Sequence, residues 1–160
     1  MQKKDAIVIF EDDEANLAAY ELQKMLLKRK NIDIILITNV VDGFRWLQKN
    51  SDKLNEVKSF VFDYDLTKGY PKIPETQDEL KDERYTSTNS LVILGEIKKR
   101  LSQQNLNINL LANSGTNNSD LMEAGCTLKI EPAKDFNEIL TSTFSSEELK
   151  SLFERKKILA

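Results

Sequence analysis

Two acidic stretches hold most of the chemistry open to this sequence: Glu11-Asp12-Asp13-Glu14 and Asp63-Tyr64-Asp65. Each follows an apolar run, Ala6 to Phe10 in the first case and Phe60-Val61-Phe62 in the second. Carboxylates gathered at one place repel one another. A hard cation such as Mg²⁺, which takes one or two carboxylates together with water and phosphate oxygens, relieves that conflict. If the two runs are neighbouring strands, Glu11, Asp12 and Asp63 share one edge of a sheet and can hold such an ion. The competing assignment is helix capping and solvated loop charge. Acids at the ends of two separate buried strands favour the cation site, because ligands of open parallel sheets sit beyond the carboxyl ends of the strands.

The rest of the composition narrows the chemistry. Histidine is absent, which removes His-containing triads, HExxH metal sites and a histidine phosphocarrier role. Cys126 is the only cysteine, so an intrachain disulfide is excluded, and beside Gly125 it reads as a small buried residue. The 160 residues suit one domain, and 23 basic against 26 acidic residues give a net charge of −3. No Lys or Arg run suggests a nucleic-acid or membrane patch. Met1 to Asp5 lacks the apolar stretch of a signal peptide, and no apolar run approaches the ~20 residues of a membrane-spanning helix. These features lead us to expect a cytoplasmic protein that binds neither nucleic acid nor membrane.

The elements that would position the acids alternate along the chain. Ala6 to Phe10 is an unbroken apolar run, as in a strand buried on both faces of a parallel sheet. Ala15, Ala18, Ala19, Leu22, Met25 and Leu26 then recur at helical spacing, predicting an amphipathic helix to about Lys30. Ile32 to Ile37 reads as a second strand, Val41 to about Lys49 as a short helix and Val57 to Phe62 as a third strand. Phe44, Trp46 and Leu47 are read as packing residues of that short helix. Further on, a helix from about Asn89 to Leu101, a strand near Ile108 to Ala112, a short helix at Ser119 to Ala124 and a strand at Thr127 to Ile130 continue the alternation. Asp135 with Glu138 opens a fifth helix as a capping box. Five βα units imply right-handed crossovers and a parallel sheet covered on both faces. Two segments stand outside the repeat. Thr67 to Thr88 is about twenty polar residues, longer than an ordinary connection, and Ser146 to Lys157 carries Leu149, Leu152 and Phe153 at helical spacing.

Ile7-Val8-Ile9-Phe10-Glu11-Asp12-Asp13-Glu14-Ala15-Asn16-Leu17 resembles the first strand and turn of the receiver domains of two-component response regulators. Phe60-Val61-Phe62-Asp63-Tyr64-Asp65-Leu66 resembles the strand that presents their phosphoacceptor aspartate, and Ala124-Gly125 and Pro132 match two further landmarks. The resemblance spans roughly Lys4 to Leu140. It implies a CheY-like, flavodoxin-like (βα)5 doubly wound sheet in the order 2-1-3-4-5. The receiver-like domain would cover residues 1–143, with an insertion at 67–88 after strand three and a helical extension at 144–160. It also implies that Asp63 accepts a phosphoryl group, that Asp12 and Asp63 ligate Mg²⁺ directly, that Glu11 acts mostly through metal-bound water and that Asp65 contributes its backbone carbonyl. A metal and fixed donors suit this chemistry, since a carboxylate attacks an anionic phosphoryl group poorly until the developing charge is neutralised.

The sequence departs from the family in three places. Receivers place a lysine directly before the proline after strand five, where this chain has Glu131. A repulsion in place of an attraction at ~4 Å from a phosphoryl group amounts to several kcal/mol at an effective dielectric near ~20. Lys129, Lys134, Lys68 and Arg84 are the cations that could replace it. The aromatic switch position corresponds to Leu128. The Ser or Thr that ends strand four is assigned to Ser114, with Ala112 as the alternative register and a simple turn residue as the competing role for Ser114. The insertion at 67–88 replaces a short turn beside the acceptor, where it would act as a lid or partner-selecting loop or as a mixed-charge tether.

The resemblance therefore implies a stand-alone receiver in phosphorelay signalling, phosphorylated by a sensor histidine kinase or phosphotransfer protein and read by a downstream protein target. Glu131 raises the alternative of a degenerate receiver acting as a binding module. A different class is also open: Asp63-Tyr64-Asp65-Leu66-Thr67 resembles the DxDxT motif of haloacid-dehalogenase-type phosphatases, with Asp63 as nucleophile and Asp65 as acid–base. That motif ordinarily opens the first strand, whereas here two βα units precede it. The tail helix could pack on its own domain or pair two copies through Leu149, Leu152 and Phe153.

Overall fold

The computed structural model describes residues 4–67 and 87–153. Its elements are β1 (Asp5–Phe10), α1 (Glu14–Lys28), β2 (Ile32–Ile37), α2 (Val40–Lys49), β3 (Val57–Phe62), α3 (Leu91–Gln103), β4 (Asn109–Ala112), α4 (Asn118–Ala124), β5 (Leu128–Lys129), α5 (Phe136–Thr143) and α6 (Ser146–Phe153). The strands form one parallel sheet in the order β2-β1-β3-β4-β5. Phe10 lies opposite Phe62, and Phe62 opposite Ala112, so β1, β3 and β4 all end at the same edge. This register places the residues after Phe10, Phe62 and Ala112 side by side.

Unbroken apolar runs become the central strands because both faces of the sheet are covered. On one face Val8, Phe10, Phe60, Phe62 and Ala112 pack with Leu47, Ile93, Leu94, Ile97 and Leu121 from α2, α3 and α4. The rings of Phe10 and Phe62 stack at 5.1 Å, and Trp46 meets Phe60 edge-on. Gly43 lets α2 approach this close, since a Cβ there would lie 2.9 Å from the Phe10 ring. On the other face Ile7, Ile9, Val61 and Leu111 pack with Tyr20, Leu27, Ile139, Leu140 and Phe144. Asp13 caps α1 by accepting from the Asn16 amide, and Asp135 caps α5 by accepting from Asn137 and Glu138.

The side of α1 that meets the sheet differs from the one the apolar spacing suggested. Tyr20 and Leu27 are buried, while Leu22, Met25 and Leu26 are 65%, 69% and 59% exposed on the opposite side. Tyr20 can be the buried residue because its hydroxyl has a polar partner, Asn113 Nδ2 at 3.0 Å. Leu149 and Leu152 of α6 pack against the second core cluster of their own domain, while Phe153 is half-exposed with the Lys30 ammonium 5.5 Å from its ring centre.

The two ends of the insertion are fixed next to the end of β3. The Leu66 amide donates to Thr88, the Ser90 amide donates to Tyr64, and Asp65 and Asn89 form an antiparallel bridge. Residues 68–86 lie outside the described residues, and with them the expected lid, Lys68 and Arg84. No described helix is long and apolar enough to cross a membrane.

The orientation of α1 is testable with neighbouring leucines. Leu27→Ala should lower the unfolding free energy by about 2–4 kcal/mol, whereas Leu26→Ala should change it by less than about 0.5 kcal/mol, both read from urea denaturation. The reverse order would mean that the helix is rotated.

Candidate functional site

Parallel register brings Glu11, Asp63 and Asn113, each the first residue after its strand, to one edge of the sheet. One carboxylate oxygen each from Glu11, Asp12 and Asp63 lies within 4.8 Å of the others. Glu11 and Asp12 are buried, at 1% and 7% exposure, so their charges are withdrawn from water and need a counter-charge.

Part of that counter-charge is Lys134. Its ammonium is 2.7 Å from Glu11 Oε1 and 3.1 Å from Asp63 Oδ1, forming a bridge between the ends of β1 and β3. Backbone donors hold the carboxylates as well. Glu11 Oε2 accepts from the Asp12 and Asp13 amides at 3.2 and 3.3 Å, and Asp63 Oδ1 accepts from the Tyr64 amide at 2.9 Å. The Glu11 carboxyl is nonetheless pushed up from 4.5 to about 7, first by burial and then by its hydrogen bond with Asp63, against the opposing pull of Lys134. One ammonium does not neutralise three clustered acids. The donor set of buried, convergent carboxylate oxygens therefore fits a hard divalent cation, with Glu11, Asp12 and Asp63 as the residues that would hold it.

The other residues singled out in the sequence lie elsewhere. Glu131 points away from the cluster: its carboxylate is 2.6 Å from Lys129 Nζ, and its side chain is 68% exposed. The expected repulsion beside Asp63 is absent because the chain turns after Pro132 and inserts Lys134 instead. Ser114 is buried, but its Oγ accepts from the Asn117 amide at 3.0 Å and the Thr116 amide at 3.4 Å, the geometry of a turn that starts α4. Ala112, the alternative register, is the last residue of β4 and fully buried. The Asp65 carboxylate is exposed and binds Thr67, accepting from its hydroxyl at 2.6 Å and its amide at 3.0 Å. Leu128, at the aromatic switch position, is 46% exposed. Burial pushes the Cys126 thiol up to about 12, which leaves it an unreactive core residue.

Two residues beside the cluster escaped the sequence reading. Asn113, 1% exposed, accepts from the Lys134 amide at 2.6 Å through Oδ1 and donates to the Tyr20 hydroxyl through Nδ2. Asn113 follows β4 directly and could have been found from its place at the sheet edge; nothing in the spacing of α1 marks Tyr20.

No family model matches the sequence, and no curated protein matches it. Solved structures do. The receiver domain of the histidine kinase CKI1 from Arabidopsis thaliana, complexed with Mg²⁺ and BeF₃⁻, superposes with a TM-score of 0.55 at 14% identity over 92% of this chain and 90% of that one. The phosphorylated cyanobacterial phytochrome response regulator RcpA gives 0.54 at 11% identity over 92% of each chain. The receiver domain of Ssk1 from Saccharomyces cerevisiae, crystallised with the phosphotransfer protein Ypd1, gives 0.53 at 13% identity over 89% and 88%. At these identities the likeness establishes architecture, and the chain has the CheY-like receiver fold.

Proposed function

We propose that the chain is a phosphorelay receiver that accepts a phosphoryl group on Asp63, with Mg²⁺ held by Glu11, Asp12 and Asp63 and with Lys134 supplying the ammonium that Glu131 does not. The single observation that carries this reading is Lys134 lying between Glu11 and Asp63. A carboxylate flanked by an ammonium and further carboxylates at a sheet edge suits in-line attack on a phosphoryl donor. The Asp63 oxygen forms the new bond to phosphorus while the bond from phosphorus to the donor breaks and its electron pair leaves with the donor. Lys134 can follow the negative charge from the carboxylate onto the phosphoryl oxygens. The metal, when bound, offsets the charge of the acids and of the incoming phosphoryl oxygens.

In this reading the donor is a sensor histidine kinase or phosphotransfer protein, and the product is read by a downstream protein target, all in the cytoplasm. A protein donor is supported by the complex reported for the Ssk1 receiver and by the exposed apolar side of α1, which begins next to the acid turn. Ser114 remains the hydroxyl closest in sequence to the β4 edge. Once the turn that binds its Oγ loosens, it could reach a phosphoryl oxygen. The phosphatase reading is less well supported, because the Asp65 carboxylate that would be its acid–base is held by Thr67 outside the acid cluster.

Incubation with Mg²⁺ and acetyl phosphate should add one phosphoryl mass to the chain, lost in Asp63→Asn. Lys134→Met should slow labelling by at least about tenfold, the loss of an oriented charge at the reacting group, and Glu131→Gln should leave it within about twofold, as for an exposed ion pair. Labelling that depends on Glu131 and ignores Lys134 would overturn the assignment. Turnover of p-nitrophenyl phosphate abolished by Asp65→Asn would favour the phosphatase instead.

The raised Glu11 carboxyl makes a second test. An unfolded glutamate titrates near 4.5 and the folded one near 7, so between these values the folded chain binds the extra proton. Stability from this group is fully present below 4.5 and is lost as pH rises through about 7. Metal-free protein should lose stability steadily over this range, because the folded state gives up a proton that the unfolded state has already lost. Saturating Mg²⁺ should remove most of that loss, and apparent Mg²⁺ affinity should rise with pH up to about 7, as for any site whose ligand must first lose a proton. Urea midpoints at several pH values, with and without Mg²⁺, check both statements.

A further inference from the structure

Lys134 reaches the acids from a backbone conformation that lysine seldom adopts, with φ at 70°. A non-glycine residue in the left-handed region is strained, and it persists where its surroundings hold it there. What holds it is Asn113, whose Oδ1 accepts the Lys134 amide at 2.6 Å. The Asn113 amide is itself fixed, because its Nδ2 donates to Tyr20, which is buried against the sheet at 2% exposure with the Phe136 ring 6.0 Å from its own. From α1 through the end of β4 to the turn before α5, three residues form a continuous strut that ends at the ammonium between Glu11 and Asp63. A lysine on an untethered turn has a long flexible stem and a strongly hydrated head, and would lose much of its time to solvent.

We infer that Asn113 and Tyr20 are positioning residues that fix Lys134 in the site, acting through its backbone rather than by touching the phosphoryl group. The inference rests on the reading of Lys134 given above and adds the means by which a lysine three places beyond position 131 can serve. It makes the strut a requirement of phosphoryl binding and places no demand on it for metal binding. Removing the tether frees the ammonium from Glu11 and Asp63 and leaves all three carboxylates to the cation.

The experiment is titration of the full chain with Mg²⁺ alone and then with beryllofluoride at saturating Mg²⁺, for wild type, Asn113→Ala, Tyr20→Phe, Lys134→Met and the double variant Asn113→Ala/Lys134→Met. Asn113→Ala should weaken beryllofluoride binding by roughly tenfold, as typical for a group that orients a ligating residue, and Tyr20→Phe by about threefold, the loss of one supporting hydrogen bond. Both should keep or increase Mg²⁺ affinity, a divergence that general loosening of the fold would not give, since it weakens both ligands. Asn113→Ala should add nothing in the Lys134→Met background, because there the strut has no ammonium to place. If Asn113→Ala does not fold, Tyr20→Phe carries the test alone. Beryllofluoride binding unchanged in the strut variants but lost in Lys134→Met overturns this inference and spares the receiver reading. Wild-type protein that binds Mg²⁺ but not beryllofluoride overturns both.

Discussion

The site depends on one electrostatic constraint: Glu11, Asp12 and Asp63 are drawn together at the sheet edge, and two of them are buried. Withdrawn from water, such a group of like charges is costly unless protons or cations balance it. The structure uses several partial answers at once. Lys134 bridges Glu11 and Asp63, backbone amides donate to both, and Glu11 holds its proton up to about 7. What remains is a deficit of positive charge suited to a divalent cation, and a carboxylate suited to a phosphoryl group that brings its own negative charge. The candidate site and the folding liability are the same feature.

Much of the architecture could be read from the chain because it depends on local pattern. The apolar runs of β2 and β3 end where the sequence says they end, and the Asp135 cap starts α5 as its spacing requires. The acid cluster was equally legible, since residues that directly follow two adjacent parallel strands must share an edge. The side of α1 facing the core was not. Its apolar spacing describes the outer surface, while a tyrosine with a hydrogen-bond partner and a single leucine occupy the inner one. An exposed stripe and a buried stripe have the same period, and only tertiary contacts distinguish them.

The identity of the cation beside Asp63 was the other point that linear order could not decide. At position 131 the family pattern asks for a lysine and the chain offers a glutamate, which taken alone argues for a site that repels phosphate. The backbone resolves this by directing Glu131 to Lys129 at the surface and turning once more, so that Lys134 enters instead. A charge is needed at a point in space, and a loop can deliver it from more than one place in the sequence. Lys129 and Lys134 were both candidates by residue type; the left-handed turn and the buried Asn113 select Lys134.

In the proposed function Lys134 and Asp63 together hold a phosphoryl group over a metal at this edge. A crystal structure of the full chain grown with Mg²⁺ and beryllofluoride tests it most directly. The expected complex has the beryllium on an Asp63 oxygen, a fluorine within hydrogen-bond distance of Lys134 Nζ, and a cation among Glu11, Asp12 and Asp63. A complex in which Lys134 has swung out to solvent, with Lys129 or no lysine at the fluorines, would contradict it.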